Sequence, residues 1–225
     1  MINKKITAID AIIVVNVIIF LIMTLAGGTT NTEVLLRFGA MYKPYIIVDG
    51  EFYRFITAMF IHIGLVHLLM NMFVLKTMGP TFERLFGTKN FVIIYILSGI
   101  MGNIMGFGFG SVRSVEAGAS TSIYGLMGII LGLYFFYKEE SNIKYFAKQY
   151  FPFIVISLIY SITDPRVSVL GHLGGLIGGF LMTGIFDIPY HKLPTKTHII
   201  FSAAYVVLGA IFLLIGYITA FTLAY

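Results

Sequence analysis

The chain has 225 residues, of which 58% are hydrophobic and 11% are charged, and its formal net charge is +5. Soluble domains average about 45–50% apolar and about 25% charged residues, so this composition excludes a water-soluble globule and indicates several membrane-spanning segments. The chain has no cysteine, which excludes disulfides, thiolate metal sites and cysteine nucleophiles. Its 15 basic residues are scattered between apolar runs, which favours membrane lipid over nucleic acid as a partner.

Seven apolar runs approach the length of about 20 residues that a bilayer-spanning helix needs. The first covers about 6–26, and a polar but aromatic-rich segment, 27–62, follows it and is expected to lie partly in the membrane interface. The other runs cover about 63–78, 90–109, 119–137, 150–162, 167–186 and 197–223. Polar breaks separate these six runs from one another at 79–89, 110–118, 138–148, 163–166 and 187–196. The pattern predicts an all-α membrane protein with 7 transmembrane helices in a single domain, 1–225.

The distribution of lysine and arginine predicts the orientation of these helices. With the N-terminus inside, ten of the 15 basic residues fall in inside segments, including Lys4 and Lys5, and the other five, including Arg166, fall outside. Positive charge is retained on the cytoplasmic side, so the sequence favours an N-in, C-out topology.

Polar side chains that are rare in membrane helices occur in the second, fourth and sixth runs. His67 and Asn71 are four residues apart and share one helix face, Ser120 lies at the start of the fourth helix, and His172 lies near the start of the sixth. All three helices run from outside to inside in the predicted topology. His67, Ser120 and His172 are therefore expected at one shallow depth below the outer surface. Polar side chains within a membrane span are by default interpreted as functional residues.

These residue types suit nucleophilic catalysis. A serine hydroxyl needs a base to remove its proton, so Ser120 is the candidate nucleophile and His172 the candidate base. The Ser120 amide at the helix start, with Asn71 and His67 as side-chain donors, is expected to stabilise an oxyanion. Tyr124, four residues after Ser120, is expected to stack on His172 and fix its ring plane.

Close approach of the fourth and sixth helices needs small residues at their contact. The sixth helix has Gly171, Gly175 and Gly179 at four-residue spacing, and the fourth has Gly125, Gly128 and Gly132. Such a glycine series favours helix packing whether or not the protein is an enzyme. His62, near the start of the second run, is interpreted as a structural histidine.

Five segments in order, from Phe52 to Gly184, resemble the rhomboid family of intramembrane serine proteases. They are Tyr53-Arg54, His67-x-x-x-Asn71, Gly79-x-x-x-Glu83-Arg84-x-x-Gly87, Gly118-Ala119-Ser120 followed by Tyr124-Gly125, and Gly171-His172-Leu173-Gly174-Gly175. Each segment alone is a weak signal, whereas their order and predicted depth together are specific.

The resemblance implies a core of six helices over about 1–187 and one extra C-terminal helix at about 197–223. It also implies a Ser120–His172 dyad without a catalytic carboxylate, with His67, Asn71 and the Ser120 amide forming the oxyanion hole. Gly118, Gly171, Gly175 and Tyr124 would support this site. Two positions depart from the family pattern, Thr121 where glycine usually follows the nucleophile and Tyr53 where tryptophan usually precedes the arginine.

The resulting hypothesis is a serine endopeptidase that cleaves single-pass membrane proteins within or near their transmembrane helix. Its site is expected to open to the outside of a bacterial plasma membrane, with no cofactor and no metal. The alternative is a catalytically inactive rhomboid-like protein that binds membrane helices, although such proteins characteristically lack the serine or histidine. A transporter is disfavoured because the sequence has no inverted repeat.

Overall fold

The computed structural model describes residues 6–164, 167–189 and 191–223. The secondary structure of these residues is mostly helical, as the sequence predicts. The elements in chain order are α1 (Ala8–Leu25), α2 (Thr32–Arg37), β1 (Met41–Tyr42), α3 (Lys43–Val48), α4 (Arg54–Thr57), a 3₁₀ turn (Ala58–Phe60), α5 (Leu65–Phe109), β2 (Val115–Glu116), α6 (Ser120–Tyr137), α7 (Ser141–Thr163), α8 (Val169–Ile185) and α9 (Thr195–Leu223).

The 45-residue α5 contains the second and third predicted helices, and its helical geometry is interrupted at Gly87, where φ is +76°. The prediction that a break covers 79–89 was wrong, because the first arm of α5 continues through Pro80 to this glycine. Buried Phe82 and Phe86 hold the additional turns in the core. The interruption is therefore confined to a residue that tolerates a positive φ.

Glu83 connects the Gly87 interruption with the start of α1. Its Oε1 accepts a hydrogen bond from the backbone N–H of Ala8 at 3.0 Å and another from the Thr88 hydroxyl at 2.9 Å. The first bond satisfies an N–H group at a helix start that has no partner within the helix. Glu83 thus holds three segments together at one end of the bundle.

The helix α7 begins at Ser141, nine residues before the predicted start at 150. The lysine-rich composition of 138–148 favoured a loop, but apolar side chains in this stretch pack on the bundle. Ala147 is buried, and the Phe146 ring lies 6.0 Å from that of Phe82 in an edge-on contact. These contacts stabilise helical turns in which Lys144, Lys148 and Gln149 are exposed.

Five helices of the described residues, α1, α5, α6, α7 and α9, are long and apolar enough to cross a membrane, and α8 is apolar but has 17 residues. In the most apolar 18-residue stretch of each helix, 72% of the residues are buried in α6, whereas 17% are buried in α7 and in α9. The central position of α6 places the Ser120 helix inside the bundle. The orientation stays a prediction, and Lys4, Lys5, Pro165 and Arg166 lie outside the described residues.

The helices α6 and α8 make the most extensive contact of any pair among the described elements. A β-carbon on Gly175 would overlap the carbonyl oxygen of Thr121, and one on Gly179 would overlap that of Gly125. Only glycine permits this backbone separation. The predicted glycine contact is therefore present between the helices that carry Ser120 and His172.

The segment between α1 and α5 is folded rather than extended. Arg54 is 2% exposed and donates hydrogen bonds to the carbonyl oxygens of Leu36 and Ala40 and to the Glu51 carboxylate. Hydrogen bonding to Arg54 holds the pKa of Glu51 below its ordinary value. This arginine, which belongs to the first motif, thus fixes the shape of the segment.

A two-stranded antiparallel ladder joins this segment to the residues that lead into α6. Met41 on β1 pairs with Glu116 on β2, and Tyr42 pairs with Val115. The ladder is the one β-structure longer than an isolated bridge among the described residues. It anchors the chain four residues before Ser120.

Candidate active site

Ser120 is the first residue of α6 and is half-buried. The N-cap residue Ala119 has no side chain that accepts a hydrogen bond, so the first turn of α6 has no side-chain cap. Unpaired N–H groups and the positive end of the helix dipole therefore lie beside the Ser120 hydroxyl. Such a helix end favours negative charge on a bound group.

Gly118 gives the loop before Ser120 its shape. Its φ is +142°, and its N–H donates to the carbonyl oxygen of Ala58 at 2.9 Å. A β-carbon at Gly118 would lie 2.7 Å from Cε1 of His67 and 3.4 Å from Oγ of Ser120. The imidazole of His67 and the hydroxyl of Ser120 therefore border the same small volume, which a side chain on Gly118 would fill.

Asn71 lies one turn after His67 in α5, and both belong to the predicted oxyanion group. The Asn71 amide Nδ2 donates one hydrogen bond to the carbonyl oxygen of His67 at 2.9 Å, and the residue is buried. An amide nitrogen carries two N–H groups, so the bond within the helix uses one of them.

His172 in α8 is buried and held by two contacts. The ring of Tyr124 stacks on it, with centroids 3.9 Å apart and planes inclined by 15°. Its Nδ1 lies 2.7 Å from the hydroxyl oxygen of Ser161 in α7. Side chains from two other helices, α6 and α7, therefore set the position and plane of this imidazole.

Ser161 is a site residue that the sequence did not predict. Its hydroxyl donates to the carbonyl oxygen of Ser157 at 2.9 Å, and the Tyr124 hydroxyl lies 2.7 Å from both that carbonyl oxygen and the Ser161 oxygen. All these groups are satisfied when Nδ1 of His172 carries the proton and donates to Ser161. The four-residue spacing of Ser157 and Ser161 in an apolar helix was the available signal.

The contact between α6 and α8 brings the Ser120 and His172 ends of the two helices together. Gly171, next to His172, faces Thr121, next to Ser120, and a β-carbon on this glycine would lie 3.2 Å from Cγ2 of the threonine. The hydrogen bonds within the described residues include none directly between Ser120 and His172. The side-chain contact of His172 to α6 is instead its stacking on Tyr124, one turn after Ser120.

His62 lies beneath the loop that leads to Ser120. It is fully buried, its Nε2 is 3.4 Å from the backbone nitrogen of Ala119, and its ring centroid is 5.1 Å from that of His67. Burial lowers the pKa of His62 to about 3, so its ring is neutral and Nε2 can accept the Ala119 hydrogen bond. This contact supports the structural interpretation of His62.

Within the described ranges, no group of three or more histidine, aspartate or glutamate side chains is arranged to hold a metal ion. The polar groups around Ser120 and His172 are hydroxyls, imidazoles and amides. Groups of these types can transfer protons and can donate hydrogen bonds to an oxyanion.

The apolar helices and the buried polar groups between them define an integral membrane protein that crosses the bilayer several times. Residues 49–188, more than half of the chain, match the family model of the rhomboid domain. The chain belongs to the rhomboid family, which confirms the resemblance predicted from its motifs.

Three relatives illustrate this membership. The chain is 35% identical over 191 residues to the rhomboid protease GluP of Bacillus subtilis, covering 83% of this chain and 36% of GluP. It is 34% identical over 153 residues to the mitochondrial RHOMBOID-like protein 6 of Arabidopsis thaliana, covering 68% of this chain and 49% of the relative. It is 29% identical over 158 residues to Rhomboid-like protease 1 of Toxoplasma gondii, covering 69% of this chain and 54% of the relative. The chain thus spans between a third and about half of the length of these relatives.

Proposed function

We propose that this protein is a serine endopeptidase that hydrolyses peptide bonds of membrane proteins within or near their transmembrane helices. The observation that carries the proposal is the hydrogen-bond network around His172. Because the Ser161 hydroxyl can accept a hydrogen bond from the N–H at Nδ1 of His172, the Nε2 lone pair is left for the proton of Ser120. The stacked Tyr124 ring holds the imidazole plane in which that lone pair points.

In the proposed reaction, Nε2 of His172 removes the proton of the Ser120 hydroxyl as Oγ attacks the scissile carbonyl carbon. The resulting imidazolium then protonates the leaving amine, which releases one product and leaves an acyl-enzyme. Water attacks the acyl-enzyme with His172 again acting as base, and this step regenerates Ser120. The cycle consumes one water molecule for each peptide bond.

The tetrahedral intermediate carries a negatively charged oxygen that needs hydrogen-bond donors. The proposed donors are the uncapped amide of Ser120, the His67 ring, which borders the same small volume as the Ser120 hydroxyl, and the second N–H of Asn71, which lies one turn after His67. Removal of one such donor lowers kcat by about 100- to 1,000-fold in other serine proteases. Asn71→Ala is expected to fall in this range.

The proposed substrates are single-pass membrane proteins, and the site is proposed to open to the outside of a bacterial plasma membrane. This orientation rests on the distribution of lysine and arginine and on the position of Ser120 at one end of its helix. Carbonyl groups within a helix are hydrogen-bonded and shielded, so a substrate helix must unwind before Ser120 can attack. Helix-breaking and small residues near the cleaved bond are therefore expected.

The deciding experiment measures cleavage of a model single-pass substrate by the full chain in liposomes. Ser120→Ala is expected to remove activity, whereas Ser122→Ala is the matched control, because that hydroxyl is buried and contacts the Met59 sulfur 3.2 Å away. Full activity of Ser120→Ala would overturn the proposal.

A second measurement separates the protease from an inactive helix-binding protein. A fluorophosphonate probe labels serine hydroxyls that a base has activated. Labelling of the unmodified chain is expected to disappear in both Ser120→Ala and His172→Ala. An unmodified chain that neither cleaves nor reacts with the probe would support the inactive alternative.

A further inference from the structure

Glu116 lies four residues before Ser120, at the end of β2. Its carboxylate oxygen Oε2 accepts a hydrogen bond from the Ser168 hydroxyl at 2.7 Å, and Oε1 accepts one from the Ser114 hydroxyl at 3.3 Å. Hydrogen bonds to a carboxylate are stronger than those between neutral groups. The hydrogen bond between Ser168 and Glu116 joins the start of α8 to the end of β2, just before α6.

Ser168 is the N-cap of α8 and lies four residues before His172. Its hydroxyl oxygen accepts the N–H of Gly171 at 3.1 Å, and its carbonyl oxygen accepts the N–H of His172 at 3.0 Å. The single hydroxyl proton is donated to Glu116, so the oxygen lone pairs face the helix. Glu116 thus sets the direction in which Ser168 caps α8.

The second arm of α5 provides room for the carboxylate. A β-carbon on Gly106 would lie 2.9 Å from Oε2 of Glu116, and one on Gly110 would lie 3.4 Å from Oε1. Lys43 on α3 provides a positive charge that attracts the Glu116 carboxylate. Burial lowers the pKa of Lys43, and attraction to Glu116 opposes this shift. The carboxylate is consequently held by β2, α5 and α8 together, near a cation from the interfacial segment.

We propose that Glu116 and Ser168 are positioning residues that fix the Ser120 end of α6 relative to the His172 end of α8. The inference rests on the proposed function. Each residue lies four positions before a reacting side chain, and one hydrogen bond joins them. Displacement of reacting groups by about 1 Å can lower a catalysed rate by about 100-fold. A contact that fixes the separation of two helix ends therefore acts on kcat without touching substrate.

The test is a double-mutant cycle of Glu116→Ala, Ser168→Ala and the double variant, assayed in liposomes. Each single variant is expected to lower kcat by about tenfold, below the loss from an active-site displacement, with KM unchanged within about twofold. The double variant should lose no more than either single variant, because both remove the same bond. Glu116→Gln and Ser168→Thr retain an acceptor oxygen and a hydroxyl, and are expected to restore most of kcat.

Glu33→Ala is the matched control, since this glutamate is exposed on α2, in the same interfacial segment. Its kcat is expected to equal that of the unmodified chain. Unchanged kcat in Glu116→Ala, a loss confined to KM, or losses that multiply in the double variant would overturn the proposal. Thermal unfolding of each variant in the same lipid shows whether a loss of kcat is caused by misfolding. If an alanine variant misfolds, the kcat values of Glu116→Gln and Ser168→Thr decide whether the proposal holds.

Hydrogen exchange separates failure of this inference from failure of the proposed function. The amides of 169–172 in the full chain are expected to exchange at least about tenfold faster in Glu116→Ala and Ser168→Ala, because the cap is no longer directed. Unchanged exchange in both variants would overturn the coupling whatever the activity. Full activity of Ser120→Ala would instead overturn the proposed function. The hydrogen-exchange rates would then still decide whether Glu116 and Ser168 together fix the start of α8.

Discussion

Ser161→Ala tests the role assigned to the hydrogen bond at Nδ1 of His172. The substitution removes the hydroxyl 2.7 Å from Nδ1 but leaves the Tyr124 ring stacked on the imidazole. The Tyr124 hydroxyl keeps the Ser157 carbonyl oxygen as its partner. The variant therefore removes one of the two constraints on His172, and the preference for the tautomer with a proton on Nδ1 is lost with it.

A hydrogen bond of this kind contributes about 0.5–1.5 kcal/mol net, which corresponds to about two- to tenfold in rate. We expect kcat to fall by this factor, because the bond orients the base in the reaction. KM is expected to stay within twofold, since Ser161 is fully buried and does not reach substrate. Tyr124→Phe keeps both the ring and the Ser161–His172 bond, so its loss should be smaller.

The assay is steady-state cleavage of the model substrate in liposomes, with the fluorophosphonate labelling rate as a second measure. Ser157→Ala is the matched control, because it removes a hydroxyl from the same helix but keeps the carbonyl oxygen that receives two hydrogen bonds. Equal rates for Ser161→Ala and the unmodified chain would refute the reasoning. So would an equal loss in Ser157→Ala.

Three further predictions concern folding and the surroundings of the site. Gly118→Ala is expected to lower the free energy of unfolding by about 1–2 kcal/mol, since its φ is +142°, and to abolish labelling of Ser120 through contact with His67. Gly175→Ala should destabilise the fold by about 1–3 kcal/mol, measured by unfolding in mixed micelles, because a β-carbon there overlaps the α6 backbone. The folded pKa of Glu51 is lowered, so its bond to Arg54 stabilises the interfacial segment above the ordinary carboxyl pKa of about 4.3 and is lost as the pH falls below it. Proteolysis of that segment should therefore accelerate on acidification.

Each of these predictions has a control in the same chain. Gly28 also has a positive φ, of +104°, but a β-carbon there meets nothing within 4 Å, so Gly28→Ala should reproduce the backbone strain without the loss of labelling. Gly209→Ala introduces a β-carbon with only an ordinary contact at 3.8 Å and should leave stability nearly unchanged. In Glu51→Gln the acid-induced acceleration should be absent. A full acid response in that variant, or labelling that survives Gly118→Ala, would contradict the explanation given.

Sequence patterns located the apolar helices well because hydrophobic length is a strong constraint in a bilayer. The spacing of Ser120 and Tyr124 places both on one helix face, and the structure has the tyrosine ring on His172 as expected. The start of α7 and the extent of the first arm of α5 were not predicted. Tertiary contacts of Phe146 and Phe82 stabilise turns whose local composition resembles a loop.

Ser161, Glu116 and Ser168 could not be assigned from the sequence. Each is an ordinary polar residue near a helix end or in a helix interior, where local backbone hydrogen bonding is the commoner explanation. Their partners lie 11 residues away for the Ser161–His172 bond and 52 residues away for the Ser168–Glu116 bond. Only the three-dimensional packing of β2, α7 and α8 brings these pairs within hydrogen-bond distance.

The β1–β2 ladder has a consequence for insertions and deletions. Glu116 is fixed by its pairing with Met41, and Ser120 begins a helix that turns through about 100° per residue. One residue added or removed in 117–119 would therefore require α6 to rotate about its axis. This rotation would move the Ser120 hydroxyl to a different side of the helix. The same change in 111–114 lies upstream of the strand, in a connection that can lengthen without turning the helix. Length variation between natural homologues should consequently concentrate before the strand and be absent after it.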